Sequence, residues 1–213
     1  MDYIISIVRY LKDGAFVSLL IFITTASLSL PLGLIFAVFL DSSAKWVKKT
    51  LNAYTWLFRG TPLMMQLFFF MYGLPAIGIT VDRMMVAVIA FALNYTAYFI
   101  EIFRAGIESI PSDQFEAASV EGASRGRTYF HVVLPQAVRK ELPTITNELI
   151  TLIKDTALVS VIAVGDLLRG VREIVSRDFT VTPFFVAATF YLMVSFIIVQ
   201  VLRKVEQAYD FGM

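Results

Sequence analysis

Five apolar stretches decide what this chain can fold into. A helix needs about 20 mostly apolar residues to cross a bilayer. Residues 15–40, 52–74, 84–105, 142–164 and 181–202 each meet that length. Backbone amides cannot stay unpaired in hydrocarbon, so stretches of this kind must be helical. The expected fold is an all-α polytopic membrane protein with five transmembrane helices, forming one domain over residues 1–213. Composition agrees: only 16% of the residues are charged, against about 25% in a typical soluble domain.

Several stretches carry interruptions. Pro31 and Gly33 break up the first, which neighbouring helices can tolerate in lipid. In the second, "RGTP" at 59–62 suggests Thr61 as a helix cap and Pro62 at the first helical position. Its continuous apolar part, Pro62 to Leu74, is then short. Pro143 stands near the start of the fourth. Ahead of the first, Tyr3, Ile4, Ile7, Val8 and Leu11 are spaced either as a short interfacial helix or as the lead-in to that span. The start lacks the basic end and small-residue cleavage site of a secretory signal.

Basic residues outside the spans set orientation. With the N-terminus outside and the C-terminus inside, the inner segments hold Lys45, Lys48, Lys49, Arg59, Arg104, Arg125, Arg127, Arg139, Lys140, Arg203 and Lys204. The outer ones hold Arg9, Lys12, Arg83, Arg169, Arg172 and Arg177. That bias places the longest polar stretch, about 104–141, in the cytoplasm. Within it, "PSDQFEAA" reads as a helix start. Asp113 is the expected cap, with Glu116 reaching back to the cap's amide. Gly122 permits a left-handed bend. A second helical piece is expected over about Ser124 to Val133, and "LP" at 134–135 should then interrupt the backbone. Phe115, Tyr129 and Phe130 are available as apolar anchors.

Polar residues inside spans are costly and face a cavity or a partner. Asn94, Tyr98 and Glu101 fall at i, i+4 and i+7 of the third span and share one face. They read either as a lining for a polar solute or as helix–helix contacts, with Glu101 ion-paired to Arg104 at the membrane edge. On the fourth span Asn147, Thr151 and Lys154 form one stripe, and Glu148 and Asp155 a neighbouring one. A cavity offering an acid and a cation suits a zwitterion; a salt bridge between helices or subunits uses the same residues. Gln66 lies one turn into the short helix after Pro62, within reach of a solute.

The residues 116–137, "EAASVEGASRGRTYFHVVLPQA", resemble the EAA signature of binding-protein-dependent ABC importer permeases. "FRGTPLMMQLFFFMYGLP" at 58–75, "AYFIEIFRAGIESI" at 97–110 and "NELITLIKDTALVSVI" at 147–162 match the polar amino-acid branch of that family in the same order. The resemblance covers about residues 14–205. It implies a type I importer permease fold in a bacterial cytoplasmic membrane. The 112–135 segment would be a coupling helix, with Glu116, Ala117, Ala118, Gly122, Phe130 and Pro135 meeting a cytoplasmic ATPase subunit. It further implies two ATPase subunits, a second permease chain (identical or homologous) and an extracytoplasmic amino-acid-binding protein.

Other classes fit poorly. No glycine begins a "GK[ST]" ending, so the loop that cradles phosphates is missing. No cofactor is expected, and any ATP would be bound by partner subunits. There is no cysteine, and His131 is the one histidine, so no thiolate or histidine metal cluster can form within the chain. An intramembrane serine–histidine pair would need a histidine in a span; a two-aspartate site would need a partner for Asp155. A net charge of +1 gives no electrostatic case for nucleic acid. The remaining alternatives are a permease for another small solute and a non-transporting scaffold subunit.

Overall fold

The computed structural model describes residues 2–42 and 44–208, and these are helical almost throughout. Among the described residues, three helices are long and apolar enough to cross a membrane unbroken: α1 (Asp2–Ser42), α5 (Arg83–Glu108) and α11 (Thr182–Ala208). α1 runs straight through Pro31. The apolar residues at its start are therefore the lead-in to the span and not a separate interfacial helix. Ile7 and Leu11 are buried there against Leu167, Val171 and Ile174 of α10 (Leu167–Asp178). Gly33 does not break α1 either. It lies tight against α5, where a Cβ would collide with Phe99.

The second and fourth apolar stretches are built from pieces. α2 (Lys45–Gly60) ends at Thr61, and α3 (Leu63–Phe68) starts after Pro62. Thr61 is not the expected N-cap: its backbone is extended and closes α2, and its hydroxyl donates back to the Leu57 carbonyl at 2.9 Å. Pro62, also extended, takes the cap position itself. A π turn, Phe69–Gly73, then leads into α4 (Leu74–Ala76) with Pro75 in its first turn. The wider ring of a π turn spares the carbonyl that a proline cannot bond.

The same device recurs in the polar stretch. α6 (Asp113–Val120) is followed by a bend at Gly122, α7 (Arg125–Thr128), a second π turn, Tyr129–Val133, and α8 (Leu134–Lys140). The expected break at Leu134–Pro135 is absent, because the π turn carries the helix through Pro135. The chain kinks instead at Glu141, and α9 (Leu142–Asp155) follows with Pro143 in its first turn. α9 tightens into a 3-10 stretch, Thr156–Ile162. The Thr156 and Ser160 hydroxyls donate to carbonyls three residues back, of Ile153 and Ala157, a local bond that favours the tighter turn. The stretch closes at Ala163, whose φ is 60°.

The core lies where α1, α3, α5 and α9 meet. A second, smaller core joins the start of α1 to α10 and α11.

Candidate functional site

α9 has two chemically opposite faces. Leu142, Ile145, Leu149, Leu152 and Ile153 are buried. Thr144, Asn147, Thr151 and Lys154 are exposed, with Glu148 and Asp155 half-buried beside them. The spacings of three, four and seven residues put all six on one side. Among the described residues, the side chains of Lys154 and Glu148 make no hydrogen bond. Thr151 donates to the Asn147 carbonyl at 3.0 Å, as a helical threonine does when its hydroxyl has nothing else to bond. A face of this kind cannot rest against hydrocarbon.

Asp155 is held from behind. Tyr95 of α5 is buried, 1% exposed, and its hydroxyl donates to Asp155 Oδ2 at 2.8 Å. Sequence periodicity singled out Asn94, Tyr98 and Glu101 and passed over Tyr95. It belongs to the aromatic ladder Phe91–Tyr95–Phe99–Phe103, which fills the core. One hydroxyl in an otherwise apolar ladder was the available signal, since a buried tyrosine needs a partner for its OH.

The other candidates separate into two groups. Gln66 and Asn94 are buried together, 7% and 4% exposed. Gln66 Nε2 donates to the carbonyls of Phe58 and Thr61 at 2.9 and 3.1 Å. Asn94 Nδ2 donates to the Phe58 carbonyl and to Gln66 Oε1 at 3.0 and 3.2 Å. The carbonyls left over at the end of α2 thus bond to these two amides, and the break is tied to α5. Both side chains thereby brace the break between α2 and α3.

Tyr98 and Glu101 meet Arg59, the next residue along α2. Glu101 Oε2 accepts from Arg104 at 2.5 Å and pairs with Arg59 at 3.6 Å. The Arg59 guanidinium lies 5.5 Å from the Tyr98 ring centroid, within cation–π range. Arg104 also bonds Glu108 at 2.9 Å. The ion-pair reading of Glu101 and Arg104 therefore describes the geometry, extended by Arg59.

The polar segment after α5 forms a bent knob. Gly122 has φ 78°, the left-handed conformation that joins α6 to α7. Ser124 opens α7, its Oγ accepting the Arg127 amide at 3.3 Å. The expected capping box is not formed: α6 begins at Asp113 itself, and its carboxylate accepts the neighbouring Gln114 amide at 3.0 Å. Glu116 and Ala117 are exposed, Ala118 half-buried. The three aromatic anchors also divide. Phe115 and Tyr129 pack into the core, and Phe130 alone stands out, 62% exposed. Phe130 and Pro135 border an apolar groove of about 430 Å³ with Leu134, Val138, Leu142 and Val205.

Known proteins resemble the chain over nearly this whole arrangement. The model of the family described as "Binding-protein-dependent transport system inner membrane component" matches residues 29–210. The L-cystine transport system permease protein TcyB of Bacillus subtilis is 37% identical over 94% of this chain and 86% of its own length. The arginine transport system permease protein ArtQ of the same organism is 34% identical over 94% and 92%. The histidine/lysine/arginine/ornithine transport system permease protein HisM of Salmonella typhimurium is 33% identical over 93% and 89%. Among solved structures, an amino acid ABC transporter crystallised with histidines superposes with a TM-score of 0.87 at 30% identity, covering 97% of both chains. The inward-facing MetNI methionine ABC transporter superposes with a TM-score of 0.70 at 17% identity, a likeness of fold alone.

Proposed function

Because the chain belongs to the binding-protein-dependent transport system inner membrane components, we propose that it is the permease subunit through which an ABC importer moves a polar amino acid. The exposed polar face of α9 carries this reading. Thr144, Asn147, Glu148, Thr151, Lys154 and Asp155 stand in a chain whose long helices are apolar. Such a face needs water or a second subunit against it. A second permease chain related by a two-fold axis would supply both, closing a wet passage between two copies of the face.

In that passage Lys154 takes the carboxylate of an amino acid, and Asp155 and Glu148 take its ammonium. Asn147 and Thr151 add neutral hydrogen-bonding groups. Tyr95 orients Asp155. Gln66, Asn94, Tyr98 and Glu101 shape the wall behind, through the tied break at 61–62 and the Arg59 cluster. The whole chain acts as one transmembrane unit of five spans with its N-terminal end outside. The relatives TcyB, ArtQ and HisM are named for cystine, arginine and other amino acids, which supports a polar amino acid as the cargo.

The chain lacks a nucleotide loop of its own, so two partner ATPase subunits supply the energy. Glu116, Ala117, Ala118, Gly122, Phe130 and Pro135 form the surface they move. An extracytoplasmic binding protein delivers the solute. The test is reconstitution with an ATPase and a binding protein from the same organism, followed by a screen of amino acids for stimulated ATP hydrolysis. Stimulation by one polar amino acid supports the reading. Stimulation only by a solute of another class, or by none, contradicts it.

A further inference from the structure

α10 ends in a strained conformation. Phe179 has φ 49° and ψ 41°, the left-handed region that glycine usually fills after a helix and that a Cβ disfavours. Its amide donates to the Val175 carbonyl at 2.9 Å and stops the helix. The turn is braced on both sides. Asp178 accepts from Arg177 Nε at 2.6 Å and from the Tyr3 hydroxyl at 2.8 Å. Beyond Phe179, the Thr182 amide donates to Thr180 Oγ1 at 3.3 Å. The Phe179 ring is left 92% exposed. Glycine would close the helix at less strain, so the side chain itself calls for an explanation.

The ring does not stand alone. Val181, Phe184 and Phe185 are exposed next to it, with no charged residue from Phe179 to Thr189. Their surface runs on into Leu192, Met193, Phe196 and Ile197, the exposed face of α11. Arg203 and Lys204 mark the other end of that helix. From Phe184 to Leu202 the rise is about 27 Å, close to one hydrocarbon thickness. The Phe179–Phe185 corner therefore falls at the opposite membrane boundary, a level that favours aromatic side chains.

We infer that the corner between α10 and α11 is an interfacial anchor, with Phe179, Val181, Phe184 and Phe185 seated among phospholipids of the leaflet away from Arg203 and Lys204. Phospholipid is the occupant because the patch is uncharged and continuous with the apolar face of a spanning helix. Asp178 bonds Tyr3, so the anchor fixes the start of α1 and the end of α10 at one depth. The inference needs α11 to cross the membrane and is independent of which solute the protein carries.

The chain has no cysteine, so single-site labelling is direct. Phe179→Cys and Ser176→Cys, each carrying a nitroxide, are reconstituted as the full chain in phosphatidylethanolamine–phosphatidylglycerol vesicles. At position 179 oxygen, which concentrates in lipid, should relax the label more than a water-soluble nickel chelate does. At the exposed Ser176 position the order should reverse. Phe179→Trp in a Trp46→Phe, Trp56→Phe background gives a second readout: quenching by brominated acyl chains and resistance to aqueous iodide. Nickel access at 179 equal to that at 176, or iodide quenching of the new indole, overturns the inference. So does a probe shielded only after a second permease chain or a binding protein is added, which would make the corner a protein interface.

Discussion

The Tyr95 hydroxyl donates to the Asp155 carboxylate at 2.8 Å, joining the buried aromatic ladder of α5 to the exposed polar face of α9. Through this bond the core sets the position of an acid on the proposed passage.

Tyr95→Phe keeps the ring and removes the bond. A hydrogen bond to a charged group contributes roughly 1.5–3 kcal/mol, and about 1.4 kcal/mol is tenfold in affinity. The solute concentration for half-maximal transport should rise by about ten- to a hundredfold, with the folded complex still assembling. If Tyr95 acts through Asp155, adding Tyr95→Phe to Asp155→Asn should change little further. Full additivity of the two would assign Tyr95 a separate role.

Gly122→Arg puts a long side chain on a residue at φ 78°, although no neighbour lies within 4 Å of the added Cβ. The strain falls on the bend between α6 and α7, not on the core. The variant should insert in the membrane at normal levels and lose solute-stimulated ATP hydrolysis in the reconstituted complex. Undiminished stimulation would separate the bend from coupling.

Asp166 caps α10, accepting the Leu168 and Arg169 amides at 3.0 and 3.2 Å. Burial pushes its carboxyl up to about 6 from an ordinary 3.8, outweighing the bonds from those amides. The folded value exceeds the unfolded one, so this group's contribution is fullest below about pH 4 and declines as pH rises through about 6. Asp166→Asn keeps a capping oxygen without the charge. Relative to the native chain, its melting temperature in detergent should climb between pH 4 and pH 7. Asp166→Ala should instead lose about 1 kcal/mol of cap energy. A flat difference between native and Asn forms across that range would contradict the buried charge.

The polar face of α9 was legible because a seven-residue spacing survives folding unchanged: Asn147, Thr151 and Lys154 stand together as their positions require. Gly122 was legible for a similar reason, since a left-handed bend is a local property. Tyr95 was not, because its importance comes from a residue 60 positions away. Pro135 misled because a π turn two residues earlier absorbs the missing bond, and nothing local in "VVLP" announces such a turn. Gln66 and Asn94 looked like solute contacts. Only the fold of α2 back on α3 and α5 brings both amides to the Phe58 carbonyl.

The most direct test of the central claim is water access along α9 in the assembled complex. Asn147→Cys, Thr151→Cys and the buried Leu152→Cys are each exposed to a hydrophilic, membrane-impermeant thiol reagent, with and without the transported amino acid. The account predicts modification at 147 and 151, slowed by the solute, and none at 152. Unreactive cysteines at 147 and 151 in a complex that still transports would contradict it.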